Sequence, residues 1–194
     1  MSELLTGKRI LITQADQFMG PMLCEVLRAK GATVIADDSD LSMAGVAEKV
    51  VADSGRIDVL VANLSIPAPS TPAAQVSEEE WQAVFAALVS PLPRLCAAVL
   101  PQMVERRAGK ILLMGSASAL RGMKRASTYS AARGAQLAYI QAIGVEMAEY
   151  NIQINAIAQN FVENPTYFPP EVQANPRFQE RLKREVPLGR LVGA

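Results

Sequence analysis

An α/β fold with a doubly wound parallel sheet is predicted by three features of this sequence. Short apolar runs rich in strand-forming residues recur five times, longer segments of helical spacing separate them, and the alternation β-α-β persists to about residue 158. Each parallel pair needs a crossover of a dozen or more residues, and helices supply it while covering both faces of the sheet. The 194 residues, half of them apolar, suit one domain spanning 1–194 with a sizeable buried core.

The elements follow in order. The first strand is KRILIT (8–13), and the turn TQADQFMG (13–20) leads into a helix over 20–30. The second strand is ATVIAD (32–37). Only about four residues, Asp38 to Leu41, separate it from a helix over 42–54, too few for the extra helix and strand that a dinucleotide-binding sheet usually inserts there. The adenosine side of such a site is therefore expected to be cut down. Asp37 and Asp38 stand where an acidic residue can grip a ribose, but they read first as a solvated turn. IDVLVAN (57–63) is the third strand, followed by a helix over 77–106 with the capping box Ser77-x-x-Glu80 at its start. Pro91 and Pro93 are expected to kink that helix. KILLMGS (110–116), a helix over 127–149 and IQINAIA (152–158) complete the pattern. Nothing after VPLGRLVGA covers the fifth strand, so an exposed edge and a chain truncated before a C-terminal helix and strand are expected.

Composition excludes several function classes. Lysine plus arginine equals aspartate plus glutamate at 19 each, so no net field favours nucleic acid or an anionic membrane, and small neutral ligands fit better. No uninterrupted apolar run reaches the roughly 18 residues of a membrane span. The opening MSELLTGKR lacks the basic start and apolar stretch of a secretory signal, so a cytoplasmic address is expected. Cys24 and Cys96 lie in apolar helical patterns and read as buried free thiols. The chain has no histidine, which removes Ser-His-Asp hydrolysis and most catalytic zinc sites. Acid-base work falls to Tyr, Lys, Asp or Glu, and no metal site is expected.

Ligands of a doubly wound sheet bind beyond the carboxyl ends of its strands. Ser116 ends the fourth strand run, and Tyr129 and Arg133 follow in the first turns of the next helix at i and i+4, on one face. The three can converge, although singly they also read as a capping serine, a packed tyrosine and a surface arginine.

The spacing Ser116-x12-Tyr129, with DVLVAN and INAIA, resembles the short-chain dehydrogenase/reductase superfamily over nearly the whole chain, which implies a Rossmann-like fold. The oxidoreductases of that superfamily carry a lysine four residues after the tyrosine, where this chain has Arg133, a group of different shape and donors. Their TGxxxGxG turn would place glycines at Gln14 and Phe18, where side chains obstruct a pyrophosphate. Their helix asparagine falls on Leu88, and their Pro-Gly after the fifth strand on Gln159 and Asn160. Two patterns that remain, Thr13-x4-Phe18-x-Gly20 and Ser116-x12-Tyr129-x3-Arg133, are similar to those of the halohydrin dehalogenases, a cofactor-free branch of the superfamily.

That resemblance implies conversion of vicinal haloalcohols to epoxides, halide and a proton, and the reverse opening of epoxides by small anions. Ser116 would hold the substrate oxygen and Tyr129 would take its proton. Because an ordinary tyrosine has a pKa of about 10, Arg133 would favour the phenolate. Phe18 would fill the nicotinamide space and wall a halide pocket, and Gln159, Asn160, Phe161 and Val162 would offer backbone amides to the halide. Without the resemblance, Phe18 reads also as core packing and the 159–162 turn as a simple change of direction. No cofactor is expected, and helices 77–106 and 127–149 would build a homo-oligomer, a tetramer by resemblance. Two rivals stand beside this reading: an NAD(P)-dependent oxidoreductase with an eroded cofactor site, and a non-catalytic member of the superfamily.

Overall fold

The computed structural model describes residues 4–193. Nearly unbroken apolar strands bury both faces and take the centre of a sheet. β1 (Arg9–Thr13), β3 (Val59–Ala62) and β4 (Gly109–Met114) do so, with Leu11, Leu60 and Ile111 at most 1% exposed. β2 (Thr33–Asp37) and β5 (Ile152–Ile157) are less buried and form the edges, giving an all-parallel sheet of order β2-β1-β3-β4-β5. The chain winds outward from β1 in both directions, so the crevice beyond β1 and β3 is the switch point where ligands of such sheets bind.

Helices α1 (Gly20–Ala29), α2 (Val46–Ser54), α3 (Glu78–Leu88), α4 (Pro91–Glu105) and α5 (Ser127–Met147) make the crossovers. The main core joins β3 and β4 to α2, α3, α4 and α5 through Leu60, Leu113, Leu88, Leu95 and Ile140. A second cluster packs Ile10, Ile12 and Met114 against Phe18 and Cys24. Cys24 and Cys96 are free and buried, as expected, and burial pushes the Cys96 thiol up to about 12.

The fold departs from the sequence expectation in four respects. The helix over 77–106 is two helices rather than one kinked helix. The chain leaves α3 at Val89, and Pro91 opens α4, where its missing N–H has no intrahelical partner to lose. By composition, Glu78–Glu105 is long and apolar enough to cross a membrane, a length that the uninterrupted-run criterion did not register. In the fold its apolar face, including Leu88, Leu92 and Val99, lies in the main core.

The helix expected from 42 begins at Val46. The Asp40 carboxylate accepts from the Ser42 N–H at 3.0 Å, and Gly45 adopts φ 81°, so the chain turns before it can coil. The capping box at Ser77 works in one direction. Ser77 Oγ accepts from the Glu80 N–H at 3.2 Å, but the Glu80 carboxylate accepts from Thr71 and Thr128 and ties the start of α3 to α5. Finally, α6 (Pro170–Gln173) and α7 (Pro176–Glu185) follow β5. Asn175 caps α7 by accepting from the Arg177 N–H, and Phe178 and Leu182 at i and i+4 bury one face. The segment after α7 returns to bridge Val162 through Val192.

Candidate active site

The turn leaving β1 is held in an uncommon conformation. Gln14 and Phe18 both have left-handed backbone, φ 44° and 52°, at a cost of order 1–3 kcal/mol each. Contacts across the switch point offset it. Gln14 Oε1 accepts from the Ser65 N–H at 2.6 Å, and Asn63 Nδ2 donates to the carbonyls of Gln14 and Gln17 at 2.9 and 3.0 Å. The Phe18 N–H donates to Thr166 Oγ1 at 2.6 Å. Gly20 is required by close approach, since a Cβ there would lie 2.5 Å from the carbonyl oxygens of Gln14 and Ala15.

At the end of β2, Asp37 and Asp38 are engaged by the protein. Asp37 accepts from the Ser39 hydroxyl at 2.7 Å and Asp38 from the Asp16 N–H at 2.9 Å. The other Asp37 oxygen is buried without a partner among the described residues.

A cavity of about 590 Å³ opens beyond the carboxyl ends of the strands. Phe18, Ser116, Tyr129 and the turn Gln159, Asn160, Phe161 and Val162 all line it, so seven of the eight residues singled out by sequence meet in one place. The exception is Arg133, which is 1% exposed and lies behind the wall.

Ser116 sits where β4 gives way to a short 3-10 turn. Its Oγ accepts from the N–H and hydroxyl of Ser118 at 3.2 and 3.0 Å, leaving its own O–H to donate into the cavity. Tyr129 is one turn into α5 and 4% exposed. The Arg133 guanidinium stands over the Tyr129 ring at 5.0 Å and the Phe18 ring at 5.8 Å. Its Nη1 donates to Gln136 Oε1 at 3.0 Å and to the Met114 carbonyl at 3.3 Å, and Nη2 to the Tyr167 hydroxyl at 3.4 Å. Its Nε has no partner, and no carboxylate pairs with it among the described residues. A buried cation so placed attracts any negative charge that forms nearby.

Two residues of this site escaped sequence reading. Tyr167 accepts from the Tyr129 hydroxyl at 3.0 Å, donates to the Ile66 carbonyl at 2.7 Å, and packs edge-on against Phe18 at 5.3 Å. Burial raises its hydroxyl above the ordinary tyrosine range, against the opposing pull of Arg133, so Tyr167 is a neutral donor at working pH. Gln136 relays from Arg133 to the Leu88 carbonyl, so the position of the missing asparagine still touches the site through its backbone. Gln136 could have been found from its i+3 spacing to Arg133, whereas nothing local marks Tyr167.

The 159–162 turn is pinned at both ends. Ala117 N–H donates to the Gln159 carbonyl at 2.9 Å, and Val192 N–H to the Phe161 carbonyl at 3.0 Å. The amides of Asn160, Phe161 and Val162 have no acceptor among the described residues. The Phe161 side chain packs in one apolar cluster with Phe178 and Leu182 of α7, which ties the turn to that helix. Among the described residues no group of His, Cys, Asp or Glu is placed to hold a metal.

Residues 37–173 match a family model, that of short chain dehydrogenase. The chain belongs to the short-chain dehydrogenase family. Within that family it is 27% identical to the 3-oxoacyl-[acyl-carrier-protein] reductase of Escherichia coli, over 97% of this chain and 85% of the relative. A solved structure described as a dehalogenation enzyme is 30% identical, with a TM-score of 0.91 over 98% of this chain and 87% of that one. Halohydrin dehalogenase bound to ethyl (2S)-oxiran-2-ylacetate is 25% identical, with a TM-score of 0.83 over 96% and 85% of the two chains. The chain is thus similar both to a reductase and to dehalogenases.

Proposed function

We propose that the protein is a halohydrin dehalogenase that acts without a nicotinamide cofactor. The observation that carries this reading is the position of Arg133. A cation that holds a cofactor ribose must present its donors to the ligand cavity, whereas this guanidinium is sealed behind the rings of Phe18 and Tyr129. The turn after β1 supports the same reading. Gln14 spends its side-chain oxygen on Ser65, and Phe18 packs on Tyr167, so protein groups take up the side of the turn that a dinucleotide would need.

In the reaction, Ser116 donates to the hydroxyl of the haloalcohol and Tyr129, as phenolate, removes its proton. The oxygen then attacks the neighbouring carbon, the C–O bond forms as the C–halogen bond breaks, and the halide leaves with the electron pair. Arg133 supplies the counter-charge for the phenolate. The halide is held between the Phe18 ring and the free amides of the 159–162 turn, a compact, partly apolar setting with fixed donors.

Bromide release from a panel of small vicinal bromoalcohols, with no cofactor added, tests the reading. Bromide, acid and epoxide should appear in equal amounts. The similarity to reductases favours a second reading, a nicotinamide-dependent oxidoreductase. Alcohol oxidation with NAD(P), together with no bromide release from the panel, would establish that reading in place of the first.

A further inference from the structure

The reacting unit of a haloalcohol is two carbons, an oxygen and a halogen, and it needs only the inner end of the cavity. A volume of about 590 Å³ falls in the range of roughly 300–1,000 Å³ that accommodates much larger ligands. The lining says what else fits. Four cationic side chains border this cavity, Arg121 and Lys124 from the loop before α5 and Arg181 and Arg184 from α7, against a single carboxylate, Glu185. The chain as a whole has net charge zero, so the cations are concentrated here.

Glu185 does not cancel them. Arg181 Nε and Arg184 Nη2 both donate to it, at 3.0 and 3.1 Å, so one carboxylate serves two guanidiniums. Burial would raise the Glu185 carboxyl, but those hydrogen bonds and charges hold it below the usual range, so it stays ionised and the two arginines stay oriented. Arg181 is further fixed over the Phe161 ring at 5.4 Å, which anchors it to the turn that closes the site. In the loop before α5, the Arg121 guanidinium and the Lys124 ammonium have no hydrogen bond or ion pair among the described residues.

We propose that the substrate carries a carboxylate as well as the reacting hydroxyl and halogen, and that Arg121, Lys124, Arg181 and Arg184 hold it at the outer part of the cavity. A guanidinium offers paired donors matched to the two carboxylate oxygens, and Lys124 adds a mobile point charge. The site is thereby selective for a halohydroxy acid over a neutral haloalcohol of the same skeleton. This rests on the dehalogenase reading for its chemistry, though not for the binding.

The test compares 4-bromo-3-hydroxybutanoate with its ethyl ester. At low ionic strength kcat/KM for the acid should exceed that for the ester at least tenfold, and the ratio should shrink as salt screens the exposed charges. In the double variant Arg121→Gln, Lys124→Gln the ratio should fall several-fold, through KM for the acid. Equal use of acid and ester, or a ratio indifferent to salt and to the double variant, would overturn the proposal while leaving the dehalogenase reading intact. Should neither compound release bromide, the dehalogenase reading fails instead, and calorimetry with unreactive 3-hydroxybutanoate and its ethyl ester decides the proposal. Binding of the acid that is weakened by salt and by the double variant sustains it; no preference for the acid ends it.

Discussion

The hydroxyls of Tyr129 and Tyr167 are 3.0 Å apart, with Tyr129 donating to Tyr167 and Tyr167 donating its own O–H to the Ile66 carbonyl. A Tyr129 phenolate reverses that bond, because Tyr167 must then turn its O–H from Ile66 toward Tyr129. Removing one donor to a catalytic oxyanion costs about 10²–10³ in rate where the donor is the main one. Arg133 remains here, so Tyr167→Phe is expected to lower kcat about tenfold to a hundredfold, leave KM near its value, and move the pH profile upward. A variant with the wild-type kcat and pH profile would remove Tyr167 from the reaction.

Arg133 is a buried charge with no ion-pair partner among the described residues, an arrangement that costs fold stability. Arg133→Met should therefore change stability by no more than about 1 kcal/mol, since the lost bonds to Gln136 and Met114 are offset by relief of desolvation. Bromide release should nonetheless vanish. Arg133→Lys should retain charge, lose the planar contact with the tyrosine ring, and require higher pH for activity. Denaturant midpoints and pH–rate profiles of the two variants check both statements.

Gly20 is closed to any side chain by the Gln14 and Ala15 carbonyls. Gly20→Ala is expected to destabilise the fold by about 2 kcal/mol, within the usual range for forced overpacking. It should also displace Phe18, weakening inhibition by bromide. Inhibition measured at a temperature where the variant is folded separates the two effects.

Phe18 and Gln14 together oppose a dinucleotide. Titration with NADH or NADPH should show no saturable binding at micromolar levels. Phe18→Gly, which relieves the left-handed backbone and opens the wall beside Tyr167, should weaken bromide binding about tenfold or more. Saturable nicotinamide binding by the unaltered protein would contradict this.

Asp58 gives a prediction for the fold alone. Burial would raise its carboxyl, but the Arg9 amide at 2.9 Å, the Arg56 guanidinium at 2.8 Å and the charges of Arg56 and Arg106 hold it below the usual carboxylate range. A carboxyl lowered in the folded state contributes stability that is full above its unfolded pKa and is lost as pH falls through the folded one. Asp58→Asn should thus cost about 1–2 kcal/mol at neutral pH, a difference that fades in acid. Thermal unfolding of both proteins between pH 7 and pH 3 measures it.

Local spacing carried the architecture and much of the site. Period and residue type along a strand or helix are set by neighbours in sequence, so the five strands, the helix that opens at Gly20 and the i, i+4 pair of Tyr129 and Arg133 could be read directly. Because the ligand site of a doubly wound sheet lies beyond its strand ends, Ser116 could be placed there from the strand pattern, while Phe18 and the 159–162 turn joined it only through the family resemblance. Pro91 marks the break at Val89 without fixing its form, since a proline that can kink a helix can also begin one. Long-range packing settled what remained. Arg133 shares a helix face with Tyr129, yet its burial depends on Phe18, whose ring it faces, and on Tyr167, which arrives from 34 residues away to accept from its Nη2. The charged outer part of the cavity likewise exists only because α7 and the loop before α5, distant in sequence, fold to the same side of the sheet. Contacts of that kind are chosen by the burial and hydrogen bonding of the assembled chain, and no periodicity in either segment records them.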